Sequence, residues 1–282
     1  MRLHLCGVRG STPAPGVEFT RVGGHTSCVA IAHDADEYPR LLLDAGTGLR
    51  NVTALLGDAP FEGSMLLGHL HWDHTQGLPF FAAADRPDGR VCVHLPVAAG
   101  APDDALSGLM APPFFPISVA GLRGEWSFYP LDEGWFDVEG FSVLAREIPH
   151  RGGRTFGFRV SDGQRSIAYL SDHGPMVLGA GPDGWGPYHE AAMELAEGVD
   201  LLLHDAQFTA AELAARPHFG HSAVDYAVRL AERGDVGRLL LFHHDPSRTD
   251  DEVDALVAAC AGAVVDVGAA REGDIICWDA VT

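Results

Sequence analysis

The ten residues at positions 68–77, GHLHWDHTQG, restrict what this chain can fold into more than any other stretch. Three histidines and one aspartate lie within six positions, directly after the apolar run SMLL. If that run is a buried strand, His69 and His71 point the same way, because alternate residues of an extended chain share a face. A helical turn after them would direct Asp73 and His74 toward a second point nearby. Imidazole and carboxylate are the ligands that borderline metals such as Zn²⁺ prefer.

A histidine-rich surface loop is the alternative interpretation of this stretch. A lone HxH pattern often arises by chance, whereas HxHxDH directly after an apolar strand is much rarer. The spacers Leu70 and Trp72 are apolar, and we expect them to point away from the ligands and to anchor the loop in the core. We therefore predict a metal site, with Gly77 relieving the crowding beside it.

The charge balance restricts the partners. The chain carries 39 acidic residues against 19 basic ones, all of them arginine, which gives a formal net charge of −20. A field of that sign repels polyanions, and no basic stripe or arm offsets it, so binding of extended nucleic acid is not expected. An anionic substrate should therefore be small, or be attracted by bound metal ions.

The cysteine spacing and the hydropathy of the sequence bear on where the protein is located in the cell. The five cysteines are widely spaced and no CxxC pair occurs, so neither a disulfide framework nor a cysteine zinc site is predicted. No apolar run has transmembrane length, and the start MRLHLCGVRG lacks the apolar region of a secretory signal. These features predict a cytoplasmic protein without membrane association.

The alternation of apolar runs and turns predicts one α/β domain over 1–282, since no linker of biased composition divides it. Strands outnumber helices, which favours two sheets with helices outside over a single parallel sheet. The predicted strands are 3–8, 28–32, 41–44, 65–68, 91–95, 141–148, 156–160, 166–170, 201–204, 239–242, 264–267 and 275–278, and the predicted helices are 49–56, 188–196, 222–232 and 250–261. The Pro- and Gly-rich segments 96–127 and 174–188 fit no regular element well and predict active-site loops.

Further motifs follow along the chain in the order GVRGSTPAPG, GGHTSC, LLLDAGTGLR, IPH, YLSDHGP, LLLHDAQF, FGHS and LLLFHHDP. Together with HLHWDHTQG they resemble the metallo-β-lactamase superfamily over nearly the whole chain. Within it they resemble the phosphodiesterase branch, which includes tRNA 3′-end-processing endonucleases (RNase Z) and small cyclic-phosphate diesterases. The resemblance implies an αββα sandwich, two mixed β-sheets flanked by helices, with a dinuclear metal site at one edge of the sheets.

The same resemblance implies a complete set of metal ligands. One ion would be held by His69, His71, His150 and Asp172, and the other by Asp73, His74, His243 and Asp172. On the residues alone, His150 is also explained as a strand-end histidine bonded to backbone, and Asp172 as an ordinary turn residue. The motif LLLFHHDP offers two histidines, of which the resemblance selects His243 as the ligand and leaves His244 as a side-wall residue.

The element FGHS implies a general acid. In the phosphodiesterase branch, a histidine just before a helix gives a proton to the leaving oxygen, and His221 matches it. Asp205 matches the acidic residue that orients this histidine, although RNase Z commonly has glutamate there. A buried polar pair with a packing role is the alternative. The catalytic residues implied are therefore His221, Asp205 and the ligand Asp73.

Several residues near the motifs have roles that the sequence leaves open. Asp44 is expected to fix the tautomer of a metal-binding histidine, or else to be a plain turn aspartate. His25 stands where the family often has asparagine. Any of the three arginines nearest the motifs could bind phosphate, namely Arg9, Arg151 and Arg154.

These residues predict a hydrolase that cleaves a phosphodiester bond in a small substrate, such as a cyclic nucleotide or cyclic phosphate. Two divalent ions per chain are expected, Zn²⁺ first and Mn²⁺ as the alternative. One competing function is a tRNA 3′-processing endonuclease of the RNase Z kind, which would need a basic arm. Others are a β-lactamase or thioesterase, for which His221 would not matter, and a non-hydrolytic member of the fold. The oligomeric state is open, a homodimer included.

Overall fold

A computed structural model describes residues 1–97 and 102–278. The described strands form two sheets of seven. The first sheet contains, in spatial order, β14 (Ile275–Cys277), β1 (Arg2–Gly7), β2 (Cys28–Ala32), β3 (Leu41–Leu43), β4 (Glu62–Leu66), β5 (Arg90–Leu95) and β6 (Glu125–Pro130). The second contains β13 (Asp266–Ala269), β12 (Arg238–Phe242), β11 (Leu201–Asp205), β10 (Ser166–Leu170), β9 (Phe156–Ser161), β8 (Phe141–Glu147) and β7 (Gly134–Val138). Both sheets are mixed, because β3 to β6 and β10 to β13 run parallel while the remaining neighbours are antiparallel.

Helices cover the outer faces of this sandwich. The described α-helices are α1 (Leu49–Leu56), α2 (Trp72–Thr75), α3 (Pro102–Ser107), α4 (Glu190–Ala196), α5 (Ala210–Ala215), α6 (Val224–Arg233) and α7 (Asp250–Ala259). One apolar core lies between the sheets, where side chains of β1 and β3 meet those of β8 and β10. A second core packs α1 on the first sheet, and a third packs α4 and α6 on the second sheet. The predicted αββα sandwich is confirmed. Among the described residues, no helix has the length and apolar character needed to cross a bilayer.

Four described elements were not predicted, namely α3, α5, β6 and β7. The segment 96–127, expected to lack regular structure, contains α3 and the start of β6, so that expectation was wrong there; residues 98–101 of it lie outside the described part. In the described part of this segment, Leu106 and Val119 are buried in the apolar cluster on the outer face of the first sheet. Ser222 was predicted to begin a helix, but α6 starts at Val224, because the Ser222 hydroxyl instead donates to the His173 carbonyl.

The order of the strands brings the motif residues to one edge of the sandwich. The parallel strands β10, β11 and β12 end side by side at Leu170, Asp205 and Phe242. Strand β8 runs in the same direction as β10, because each is antiparallel to β9. The loops that follow these strands, and the loop after β4 in the other sheet, therefore carry the predicted site residues to a common place.

Candidate metal centre

Four side chains from three loops meet in a first group, His69, His71, His150 and Asp172. Each offers one ligand atom, and these atoms lie within 4.8 Å of one another. The Nε2 atoms of His69 and His150 are each 3.5 Å from Asp172 Oδ2. The Nδ1 of His71 is 3.3 Å from the Nε2 of His150. Donor atoms at this spacing can surround one cation.

A second group shares Asp172 with the first and adds Asp73, His74 and His243. The Nε2 atoms of His74 and His243 lie 2.9 and 3.0 Å from Asp172 Oδ1. The same nitrogens lie 3.2 and 3.1 Å from Asp73 Oδ2. Asp172 thus presents one oxygen to each group. The seven residues predicted as ligands are brought together in the two sets that the resemblance implied.

Several polar atoms of these groups are buried and unsatisfied. Both ring nitrogens of His69 and Nδ1 of His243 have no hydrogen-bond partner in the described part of the chain, and Nε2 of His74 and Oδ1 of Asp172 have only ion-pair contacts within the cluster. An unsatisfied buried polar atom costs about 1–3 kcal/mol, so a cluster of them is expensive unless a ligand binds there. Because the donors are imidazole nitrogens and carboxylate oxygens, the set fits divalent ions of the Zn²⁺ and Mn²⁺ class.

Hydrogen bonds on the far side of the rings fix two of the histidines. His74 Nδ1 donates to Asp44 Oδ2 at 2.7 Å, and His150 Nδ1 donates to the Gly220 carbonyl at 2.6 Å. Each bond leaves the Nε2 lone pair facing the cluster, as metal binding requires. Asp44 also accepts bonds from the backbone N–H of Gly68 and from the hydroxyls of Tyr169 and Ser171. The contact expected for Asp44 is therefore present.

Charge inside the cluster favours bound cations. Burial lowers the pKa of His69, His71 and His150, so these rings are neutral and able to act as ligands. Burial would raise the pKa of Asp172, but the surrounding histidines outweigh it and hold that pKa well below its ordinary value. Burial likewise opposes protonation of His74, yet nearby carboxylates raise its pKa well above the usual range. The negative charge that holds a proton there would hold a divalent cation in its place.

We expect Asp44→Asn to weaken metal binding by about 10- to 100-fold, the usual effect of removing a carboxylate that orients a ligating histidine. The amide keeps the shape but lacks the charge that fixes the Nδ1 proton of His74. Competition with a chromophoric chelator measures the affinity. Asp137→Asn, at an exposed position on β7, is the matched control and should leave it unchanged. Equal affinities for Asp44→Asn and wild type would contradict this role.

A histidine and an aspartate lie next to the second group. His221 Nδ1 donates to Asp205 Oδ2 at 2.9 Å, which leaves Nε2 free, and the His221 ring stacks on His243 at 5.0 Å. Asp205 is held by the backbone N–H groups of His173 and Gln207. Burial would lower the pKa of His221, but Asp205, with Asp172 and Asp73 beyond it, raises that pKa to about 9. The predicted pair is formed, and the Asp205 carboxylate stabilises the protonated form of His221.

The same pair also has the geometry of ligands. Asp205, His221 and His243 offer donor atoms within 4.8 Å of one another, so this trio forms a third group able to hold a cation. Geometry alone therefore leaves His221 two roles, proton donor or ligand, which mutagenesis can separate.

A cavity of about 390 Å³ opens onto the cluster. It is lined by Ser11, Leu70, His71, Trp72, Asp73, Asp172 and His221. The side chain of Trp72 is 73% exposed, so the expectation that it anchors the loop in the core was wrong. The prediction assumed that the backbone stays extended through Trp72, so that Trp72 would share a face with Leu70. The extended backbone instead ends at His71 and α2 begins at Trp72, which turns the Trp72 side chain toward solvent. Leu70, which also lines the cavity, does pack against the core.

Two of the three arginines considered for phosphate contact lie elsewhere. Arg9 is fully buried and its guanidinium donates to the carbonyls of Gly23, Asp245 and Arg248, with Asp250 also close. It ties the N-terminal loop to the loop after β12 and has a structural role. Arg154 donates to Glu147 and to the carbonyl of Leu131. Arg151, which follows His150, is exposed and stays a candidate for contact with phosphate.

Four further histidines are buried or half-buried beside the motif residues. His244 donates through Nε2 to the Ala270 carbonyl, whereas His243 reaches the cluster, in agreement with the expected choice between them. Next to the cluster, His173 Nδ1 lies 2.9 Å from His204 Nε2, and His173 Nε2 lies 2.7 Å from His189 Nε2. Sequence reasoning missed this buried chain of rings, although HDAQF and SDHG place His204 and His173 beside predicted site residues.

Close backbone approach explains one glycine of the N-terminal motif. A Cβ on Gly10 would lie 2.4 Å from Nδ1 of the His243 ring, so a larger residue would displace that histidine. The next residue, Ser11, has a positive φ of 63° and donates its backbone N–H to Asp73 Oδ2 at 2.7 Å. The motif GVRGST thus supports both Asp73 and His243 from one side.

The chain is similar to known proteins in sequence and in fold. Residues 39–244 match a family model described as a beta-lactamase superfamily domain. The chain is 28% identical over 218 residues to a Ribonuclease Z of Geobacillus kaustophilus, which covers 64% of this chain and 69% of that protein. The metallo-beta-lactamase fold protein YhfI of Bacillus subtilis superposes with a TM-score of 0.70 at 17% identity and 98% coverage of both chains. A diphosphatase from the PhnP family superposes with a TM-score of 0.66 at 17% identity, covering 99% of this chain and 98% of that one.

Proposed function

The chain belongs to the beta-lactamase superfamily and has the metallo-β-lactamase fold, and on that premise we propose that it is a metal-dependent hydrolase that cleaves a phosphodiester bond in a small substrate. The observation that carries this proposal is the presence of two donor groups sharing Asp172, beside the hydrogen-bonded His221–Asp205 pair at the same cavity. In this proposal residues 1–282 act as one catalytic domain, with the segment 174–188 as a loop flanking the site.

The proposed ligands of the first ion are His69, His71, His150 and Asp172, and those of the second are Asp73, His74, His243 and Asp172. When bound, two divalent cations supply a lowered pKa for water and neutralise charge on the phosphate oxygens. Zn²⁺ is the first expectation for this donor set and Mn²⁺ the second. Ser11 and Gly10 hold Asp73 and His243 from behind, so the chain's own contribution is to fix these ligands.

His221 is proposed to protonate the leaving oxygen. An alkoxide leaves poorly unless it gains a proton, and a histidine that is charged at neutral pH can give one. The bond from Nδ1 to Asp205 keeps the ring oriented and directs the other nitrogen, Nε2, to the cavity that His221 lines. Asp205 is a positioning residue in this scheme, since it acts through His221.

Charge and size favour a small monoanionic diester. The buried carboxylates of Asp44, Asp73, Asp172 and Asp205 contribute about four negative charges, which two divalent cations would balance, so the positive charge that an anion meets comes from the bound ions and from His221. None of the described residues lining the cavity is an arginine, so the bound ions would supply most of the attraction. The whole chain carries −20, which repels a polyanion before it reaches the site.

An RNase Z-like activity on tRNA is the second candidate, because the curated relative from Geobacillus kaustophilus is a Ribonuclease Z. A long polyanion needs a basic surface outside the catalytic cavity, and its binding falls steeply with salt. Many exposed arginines of this chain are instead paired with carboxylates, among them Arg21, Arg86, Arg90 and Arg123. A β-lactamase or thioesterase activity is less well supported, since neither needs His221.

We expect the purified protein, loaded with Zn²⁺ or Mn²⁺, to hydrolyse a cyclic nucleotide and bis(p-nitrophenyl) phosphate. Pre-tRNA should be a poor substrate, with binding that weakens strongly as salt rises. Product release followed by chromatography and absorbance measures both activities. His69→Ala, which removes one proposed ligand, is the control for contaminating enzymes. Efficient 3′-end cleavage of pre-tRNA at physiological salt would favour the second candidate, and hydrolysis of a β-lactam or thioester alone would exclude both.

A further inference from the structure

We propose that Trp72 forms an aromatic platform for a planar ring in the substrate, so that the favoured substrates are phosphodiesters bearing a ring of nucleobase size. This inference rests on the proposed function and adds the substrate class. It starts from a residue that sits between two proposed ligands, His71 and Asp73, and yet contributes nothing to binding metal.

Exposure at this place is the first observation. The indole of Trp72 is 73% exposed, although a buried tryptophan contributes strongly to stability. A single exposed aromatic side chain on a protein surface needs no explanation. Trp72, however, is one of the seven residues that line the cavity over the donor cluster. Its exposed face is therefore available to whatever molecule enters that cavity.

The position of Trp72 is fixed by its neighbours. His71 ends the extended backbone and Trp72 opens α2, where its carbonyl accepts the Gln76 N–H at 2.7 Å. Because the flanking residues belong to the two donor groups, the backbone of Trp72 cannot move without displacing them. The Cα of Trp72 therefore keeps a set distance from the donor groups, which limits the positions that the indole can take beside a bound phosphate.

The cavity has two chemically different parts. Asp73, Asp172, His71 and His221 give its lining polar groups, while Trp72 and Leu70 give it apolar surface. A substrate with an anionic phosphate and a flat, weakly polar ring matches both parts at once. Stacking on an aromatic side chain accepts any nucleobase, and loss of one such platform typically costs about 1–3 kcal/mol, or about 5- to 150-fold in affinity.

The test compares two ribose cyclic diesters, 2′,3′-cyclic AMP and methyl ribofuranoside 2,3-cyclic phosphate. They differ only in that the first carries adenine and the second a methoxy group. Trp72→Ala should lower kcat/KM for the nucleotide about 10- to 100-fold, mostly through KM. It should change kcat/KM for the methyl riboside, which lacks a base, less than about 2-fold. Trp72→Phe should restore most of the nucleotide activity. Phe80→Ala removes another exposed aromatic residue, outside the cavity lining, and should affect neither diester.

Equal losses on both diesters would overturn the inference, as would metal loss from Trp72→Ala, because either result makes Trp72 a structural residue. Equal kcat/KM values of the wild type for the two diesters would also overturn it. Should the wild type hydrolyse neither, the proposed function fails, and calorimetric binding of AMP against ribose 5-phosphate then decides the platform separately. A loss of AMP affinity in Trp72→Ala, without loss for ribose 5-phosphate, supports it; unchanged AMP affinity overturns it.

Discussion

We expect His221→Ala to slow the hydrolysis of a diester with an alkyl leaving group by about 10²- to 10⁴-fold, the typical contribution of a general acid, and to leave the metal content unchanged. The reason is that an alkoxide must be protonated as it departs, and His221 has a pKa raised to about 9 and a ring fixed by Asp205. With p-nitrophenyl esters the loss should shrink sharply, because nitrophenolate leaves without help.

Two further variants define the pair. Asp205→Asn should cost less than His221→Ala, and the double variant should be little worse than His221→Ala, since groups that act as a unit are not additive. His218→Ala, an exposed histidine three residues away, is the matched control and should leave the rates unchanged. Equal slowing of both ester types, or loss of metal from His221→Ala, would make His221 a ligand of the group that contains Asp205 and His243.

The site was largely predictable because its residues follow apolar strands. A buried strand is evident from a short apolar run, and the carboxyl ends of parallel strands meet at one edge. The sequence therefore predicts that His150, Asp172 and His243, each after a strand, lie close to His69. The resemblance supplied their pairing into two groups; spacing along the sequence did not contain it.

Other features depend on contacts that a sequence does not display. Trp72 was expected in the core because the loop was treated as extended, yet one helical turn after His71 reverses its direction. The helices α3 and α5 are six residues long, too short for a periodic pattern to be recognised. Arg9 was considered for phosphate binding, but its carbonyl partners at Asp245 and Arg248 lie more than two hundred positions along the chain.

The larger effect is expected from the residue that both donor groups share. Asp172→Ala removes one oxygen from each group, so metal binding at both sites should weaken together. Stabilisation by two metals amounts to several kcal/mol, and its loss should reduce diester hydrolysis by about 10³-fold or more. Asp137→Ala, exposed on β7, is the matched control, and circular dichroism should show that both variants retain the fold.

Metal analysis of the purified chain, by inductively coupled plasma mass spectrometry after exchange into chelator-free buffer, tests the dinuclear site most directly. Two-metal catalysis predicts about two divalent ions per wild-type chain, with hydrolysis rising as the second equivalent is added and both lost in Asp172→Ala. A wild-type chain that hydrolyses diesters at full rate with one ion or none, or an Asp172→Ala variant that keeps two, would contradict the dinuclear assignment.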